Sequence, residues 1–287
     1  MRIGLLVSYT EEEINFLTRV GFKSCELIVS PGSALDPAVA KKRDIARAKD
    51  TLAERGIEVS AIGHYQNNLA PNQKQRKDAV AHLERLLDLC TMMDVGVMCT
   101  FAGRVPDLSI EDNIPHFKEV FAPLAKKAED KGLKIGFENC PMFHHHPFRG
   151  INIAYTPRAW DFMFDAVPSP ALGLEYDPSH LICLLIDPVE IIRAYGSKIV
   201  HVHAKDAEVD YSFVRMHGIL EPGAVRHRTP GMGDVNWAKV VSALVEFGYK
   251  GNLDIEGRHD PIFGGALEEA GLIIGYKHLL HAIGEQV

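Results

Sequence analysis

Eight short apolar runs recur along the chain, and between them lie stretches whose apolar residues fall at helical spacing. The runs are 4–8, 25–30, 57–63, 95–101, 133–139, 172–177, 199–204 and 252–256. Each is too short for a helix of its own and continuous enough for a strand buried on both faces. The intervening segments carry helix punctuation. Thr10 stands before Glu11, Glu12 and Glu13, a hydroxyl cap followed by acids in the first turn, and Gly21 closes that segment. Ala79, Leu83, Leu86, Leu87 and Cys90 give a helix over about 75–94, and Phe117, Val120, Phe121, Leu124 and Ala128 another over 110–131. Thr156-Pro157 and Asp187-Pro188 place proline in a first turn, and Asn236 caps a segment that Gly248 ends. Strand and helix in strict alternation require a parallel sheet. With 287 residues, close to the ~250 that a closed barrel uses, the pattern predicts an α/β fold, a single (β/α)8 TIM barrel with residues 1–287 as one domain. No GxGxxG follows the first run, which argues against an open dinucleotide-binding sheet.

Four of the runs have a metal-ligating residue at their last or next-to-last position: Glu138, Asp177, His203 and Glu256. In a parallel barrel all strands finish on one rim, so these side chains are expected to converge there. A lone carboxylate at the end of a buried strand is costly unless paired or metal-bound. Four at matching positions on strands five to eight predict a shared site for one divalent ion. Three carboxylates and an imidazole form a hard cage suited to Mn²⁺ or Mg²⁺, with Zn²⁺ and Co²⁺ as alternatives. His201 shares a strand face with His203 and is expected deeper in the interior. Asn139 is expected to fix the loop beside Glu138.

Other polar residues cluster where strands end. His64 opens a polar stretch after the third run and is a candidate substrate contact, as is His180 in the segment 177–180. Long connections at 140–155 and 206–235 both follow candidate ligand strands. The second holds Arg228, directly before Thr229-Pro230-Gly231, a candidate clamp for a substrate carboxylate, hydroxyl or phosphate, with Arg226 and His227 as rivals. The run His144–His146 reads as solvated loop more readily than as a metal site.

Composition narrows the class. The formal net charge is −7 and no basic stripe is visible, so nucleic acid is not an expected partner. The five cysteines are odd in number and without CxxC spacing, which reads as reduced thiols in a cytoplasmic protein. The first residues turn acidic at once, unlike a signal peptide or a membrane span.

The stretches 138–142, 176–180, 201–206, 228–237 and 254–256 resemble, in order and spacing, the xylose isomerase-like TIM-barrel superfamily in its sugar phosphate isomerase/epimerase branch. The likeness extends over essentially the whole chain. It implies one divalent metal on Glu138, Asp177, His203 and Glu256, with Glu138 and Glu256 also moving protons. His180 and an arginine of the following loop would hold substrate oxygens. The implied reaction is isomerisation or epimerisation of a sugar, by proton abstraction next to a carbonyl through a metal-bound enediolate. The alternative is a dehydratase or lyase acting on an inosose or keto sugar through the same enolate, with His180 or His145 as acid. The implied substrate is a small sugar, sugar phosphate or cyclitol, and homo-oligomerisation is left open. The superfamily also includes the three-zinc endonuclease IV. The run ending Cys99-Thr100-Phe101 lacks the histidine that such a site needs, and the residues around His227 lack its Asp-x-His.

Overall fold

The computed structural model describes residues 1–144 and 149–285. His145 and His146 lie outside the described residues. Eight parallel strands close into a barrel: β1 (Ile3–Ser8), β2 (Ser24–Ile28), β3 (Glu58–His64), β4 (Val97–Thr100), β5 (Lys134–Glu138), β6 (Leu172–Tyr176), β7 (Ile199–Ala204) and β8 (Leu253–Ile255). Each strand pairs with its neighbour in sequence, and β8 closes on β1 with Ile3 opposite Leu253 and Leu5 opposite Ile255. This is the (β/α)8 architecture expected from the alternation.

The helices form where the sequence signals them. Thr10 Oγ1 accepts from the Glu13 amide, and the helix Glu11–Val20 ends at Gly21 with φ of 100°. That left-handed conformation favours glycine. The outward residues of the strands, such as Leu5, Leu27, Ile135 and Leu174, pack with Phe117, Phe121, Trp160 and Trp237 in the layer between sheet and helices. No described helix is long and apolar enough to cross a membrane.

Two connections carry more structure than the sequence suggested. Residues 206–235 contain an antiparallel hairpin, Asp206–Val209 against Val225–Arg228, and a helix Tyr211–His217. Asp206 anchors this excursion by accepting from the amides of Gly231 (2.9 Å) and Val235 (3.0 Å) and from Trp237 Nε1 (3.2 Å). After β6, Asp177 caps a short helix, Pro178–Cys183, through the Ser179 amide.

The barrel interior is polar. Glu26, Glu175, His201, His203 and Asp254 are all essentially inaccessible to solvent. The strand period of two sets His201, His203 and Lys205 on one face of β7 and its extension, as it sets Glu175 and Asp177 on one face of β6 and the residue that follows it. Glycines make room for them. A Cβ on Gly4 would lie 1.6 Å from Asp254 Oδ1, and one on Gly63 would lie 2.2 Å from Glu26 Oε1.

Candidate functional site

The rim at the carboxyl ends of the strands gathers the four residues expected there. Ligand atoms of Glu138, Asp177, His203 and Glu256 all lie within 4.8 Å of one another. Glu138 and Asp177 come from adjacent strands, and Asn139 locks their ends together. It donates to the Asp177 carbonyl at 2.9 Å and accepts from the Asp177 amide at 2.7 Å. Asn152 does the same for the next turn, donating to the carbonyls of Glu138 and Cys140. The backbone that carries the carboxylates is therefore fixed by side-chain amides.

Among the described residues, two buried atoms in this cage have no hydrogen-bond partner: Asp177 Oδ2 and His203 Nδ1. Asp177 Oδ2 has ion-pair contacts instead, 3.0 Å from Lys205 Nζ and 3.3 Å from His180 Nε2. His203 Nδ1 stands 3.5 Å from Glu138 Oε1 and 3.4 Å from Glu256 Oε2. Buried polar atoms normally find partners. Orphans on both an oxygen and a nitrogen, in a set of three carboxylates and one imidazole, fit a divalent ion with a preference for oxygen ligands.

Beneath the cage, Glu26 Oε2 lies 2.7 Å from His203 Nε2, and Glu175 Oε1 lies 3.0 Å from the same nitrogen. His201 donates from Nδ1 to Glu175 at 2.9 Å and from Nε2 to Asp254 at 2.8 Å, the deep position expected of it. Burial opposes its charge, but these carboxylates outweigh that and push its pKa up to about 10. Tyr65 donates to Glu26 and lies 3.0 Å from both Glu175 oxygens. Burial, reinforced by the Glu175 charge, lifts Glu26 to about 7. Burial works the same way on Glu175, but the charges of His203 and His201 prevail and hold it well below the carboxylate range.

At the upper edge sits a residue that the sequence reading passed over. Lys205 is 3% exposed. Its ammonium donates to Glu256 and lies 3.0 Å from His180 Nε2. Burial disfavours its charge, but Asp177 and Glu256 reverse this and raise its pKa well above normal. The same contact lowers Glu256 far below its ordinary value against the pull of burial. Glu138 is also lowered: burial and the Glu256 charge oppose this, and the nearby imidazoles of His180 and His203 prevail.

The three proposed substrate contacts fall differently. His180 is at the site, with Nε2 3.4 Å from Glu138 Oε1 and 3.3 Å from Asp177 Oδ2. His64 is buried and packs edge-on against His82 at 4.4 Å. It lines a cleft of about 450 Å³ with Tyr65, Gln66, Asn67 and Ile151, whose lining includes none of the four cage residues. Burial lowers its pKa to about 4, so it is neutral at physiological pH. Arg228 is already engaged. It donates to Glu208 and, from Nε, to Asp260 at 3.1 Å, bracing the hairpin against the segment after β8. Its neighbour His227 meets His180 edge-on at 5.2 Å.

Residues 14–279 match the family model described as the xylose isomerase-like TIM barrel, and the chain belongs to that family. Among curated proteins it is 25% identical to the uncharacterized protein YfiH of Bacillus subtilis, over 86% of this chain and 87% of that protein. It is 30% identical to an inosose dehydratase of Clostridium tetani, over 51% of this chain and 48% of the relative, so that match spans about half of each. Solved structures share the fold. A D-psicose 3-epimerase of Clostridium cellulolyticum H10 superposes with a TM-score of 0.72 at 18% identity, covering 100% of both chains. The IOLI protein, crystallised with a zinc atom, gives 0.74 at 16% identity, over 99% of this chain and 98% of that one.

Proposed function

We propose that this xylose isomerase-like barrel is a divalent-metal-dependent sugar isomerase or epimerase, acting on a small sugar, sugar phosphate or cyclitol by removing a proton next to a carbonyl. The observation that carries the reading is the placement of Glu138 and Glu256 at similar distance from the unpartnered His203 Nδ1 (3.5 and 3.4 Å). Glu138, Asp177, His203 and Glu256 would hold the ion, Mn²⁺ or Mg²⁺ by their oxygen-rich character, with Zn²⁺ and Co²⁺ as alternatives. When bound, such an ion polarises a carbonyl and stabilises the negative charge that develops on its oxygen.

The chain supplies the rest. Glu138 and Glu256 are held ionised, so either can accept a proton from carbon. They reach the site from β5 and from the end of β8, which lets one remove a proton and the other return it from a different direction. His180 Nε2 and Lys205 Nζ face the same space and would hold substrate oxygens. His64 remains a candidate only for a distal part of a substrate that extends into its own cleft, and Arg228 would bind substrate only through donors left over from its two carboxylates.

A second reading, dehydration of an inosose or keto sugar, is favoured by the sequence similarity to inosose dehydratases. It shares the first proton transfer and then expels a β-hydroxyl, which His180 would protonate, or His145, which lies outside the described residues. Incubation of the manganese-loaded protein with ketoses and inososes in D₂O separates the two. Deuterium uptake without loss of water supports isomerase or epimerase chemistry, and a dehydrated product supports the second reading. Failure of every keto substrate to exchange, with manganese bound, would remove both.

A further inference from the structure

We propose that His180, Cys183 and His227 form a second metal site at the barrel mouth, thiophilic where the cage is oxygen-rich and suited to Zn²⁺. His180 and Cys183 are three residues apart on the helix Pro178–Cys183, so they share a face. His227 approaches from the hairpin, on a strand whose register is fixed opposite Ala207. One ligand atom from each of the three lies within 4.8 Å of the other two.

A separate observation points to a ligand. His227 Nδ1 is buried and, among the described residues, has no hydrogen-bond partner. The ring is not loosely held, because Arg228 beside it is tied to Glu208 and Asp260 on either side. An imidazole with an unpaired buried nitrogen on a braced strand, close to a second imidazole and a thiol, gives the residue set of a three-ligand zinc site with its fourth position left to water. The sulfur decides the metal. Thiolate selects zinc and similar soft ions over manganese and magnesium, which the carboxylate cage favours. On binding, the Cys183 thiol gives its proton to solvent as the sulfur–metal bond forms, His180, whose pKa is raised, also releases its extra proton to solvent, the imidazoles of His180 and His227 then contribute lone pairs, and no electron changes hands.

The consequence is regulatory. His180 also faces the cage, 3.3 Å from Asp177 Oδ2 and 3.0 Å from Lys205 Nζ. Zinc at the second site would withdraw that imidazole from a substrate held over the cage. Excess zinc would then inhibit a manganese-loaded enzyme. This consequence rests on the proposed function, whereas the site itself does not.

Metal analysis and cobalt absorption test the site without reference to turnover. The purified chain is stripped of metal and equilibrated with Mn²⁺ or with Zn²⁺, and metal per chain is measured. One manganese and two zinc ions are expected. Co²⁺ added to the manganese-loaded protein should give a sulfur-to-cobalt charge-transfer band. Cys183→Ser should abolish that band and lose one zinc while keeping manganese. His227→Asn, on a different element, should lose the same zinc with the thiol intact. A single zinc per chain, a second zinc indifferent to both substitutions, or cobalt without a sulfur band would each overturn the proposal. Two zinc ions and the sulfur band without any manganese binding would support this site and count against the cage as a manganese centre.

Discussion

Glu26 and His203 face each other across the barrel interior with 2.7 Å between Oε2 and Nε2, and the opposite ring nitrogen of His203 has no hydrogen-bond partner among the described residues. A carboxylate behind a histidine keeps the proton on the nitrogen it contacts and leaves the other nitrogen for a metal. The pair couples the polar interior to the rim. Glu26 sits on β2, an element with no residue among the four of the cage, and sets the orientation of the imidazole that belongs to it.

Glu26→Gln should therefore weaken metal binding without touching a ligand. A loss of about 10- to 100-fold in affinity is expected, the usual size of such an outer contact. Titration of Mn²⁺ followed by electron paramagnetic resonance measures it directly. Wild-type affinity in a folded Glu26→Gln protein would show that the contact does not orient His203.

Glu256→Gln tests proton transfer at the reacting carbon. The amide retains an oxygen for the ion but cannot accept a proton. With metal occupancy restored by excess Mn²⁺, turnover should fall by about 10²- to 10⁴-fold, the range of general acid–base contributions. Undiminished deuterium exchange by the variant would exclude Glu256 from the step.

The contrast between Glu138 and Glu26 shows what the chain discloses before folding. Glu138 ends an apolar run beside Asn139, so its position at a rim follows from strand length alone. Glu26 lies inside the apolar run 25–30, where strand pattern marks it as buried but says nothing of the histidines two-thirds of the chain away that neutralise it. Lys205 was hidden for another reason. The strand period from His203 puts it on the inward face, but only the converging Asp177 and Glu256 give a buried ammonium its reason to be there. Arg228 looked free because Glu208 and Asp260, which bind it, come from opposite sides in the fold. Helices and barrel strands were legible because caps, glycine stops and apolar spacing are local. The hairpin within 206–235 was not, since its anchor at Asp206 gathers amides from Gly231 and Val235.

Gly63→Ala should disturb the interior from a position outside the cage. The added methyl would fall 2.2 Å from Glu26 Oε1 and 2.8 Å from the Tyr65 hydroxyl, so both must shift. A destabilisation of about 1–3 kcal/mol is expected, with a parallel loss of manganese affinity through the displaced Glu26. Gly96→Ala is the control, because a Cβ there meets nothing within 4 Å. It should change stability by no more than about 0.5 kcal/mol. Denaturant unfolding of the pair tests this, and equal effects at the two positions would contradict it.

Asp260 gives a pH-dependent prediction away from the cage ligands. Its Oδ2 accepts from the Thr229 amide at 2.8 Å and from Arg228 Nε at 3.1 Å, and its Oδ1 accepts from Ile262 and Phe263 at 2.8 and 3.0 Å. Burial alone would raise its pKa. The amides of Phe263, Thr229 and Ile262, with Arg228, overcome that and bring it down to about 2. In the unfolded chain an aspartate titrates near ~3.9. The folded value is depressed, so the carboxylate contributes its stability in full above the unfolded value and loses it as pH falls through the interval from ~4 to about 2. Asp260→Asn keeps the shape, turns an amide group toward N–H donors and removes the charge. At neutral pH it should cost about 1–2 kcal/mol, less than the full shift implies because solvent screens part of the interaction. Urea unfolding of wild type and variant at steps from neutral pH downward should show a constant gap above pH ~4 that narrows below it as the wild-type carboxylate protonates. A gap that widens on acidification would mean that the charge at Asp260 does not stabilise the fold.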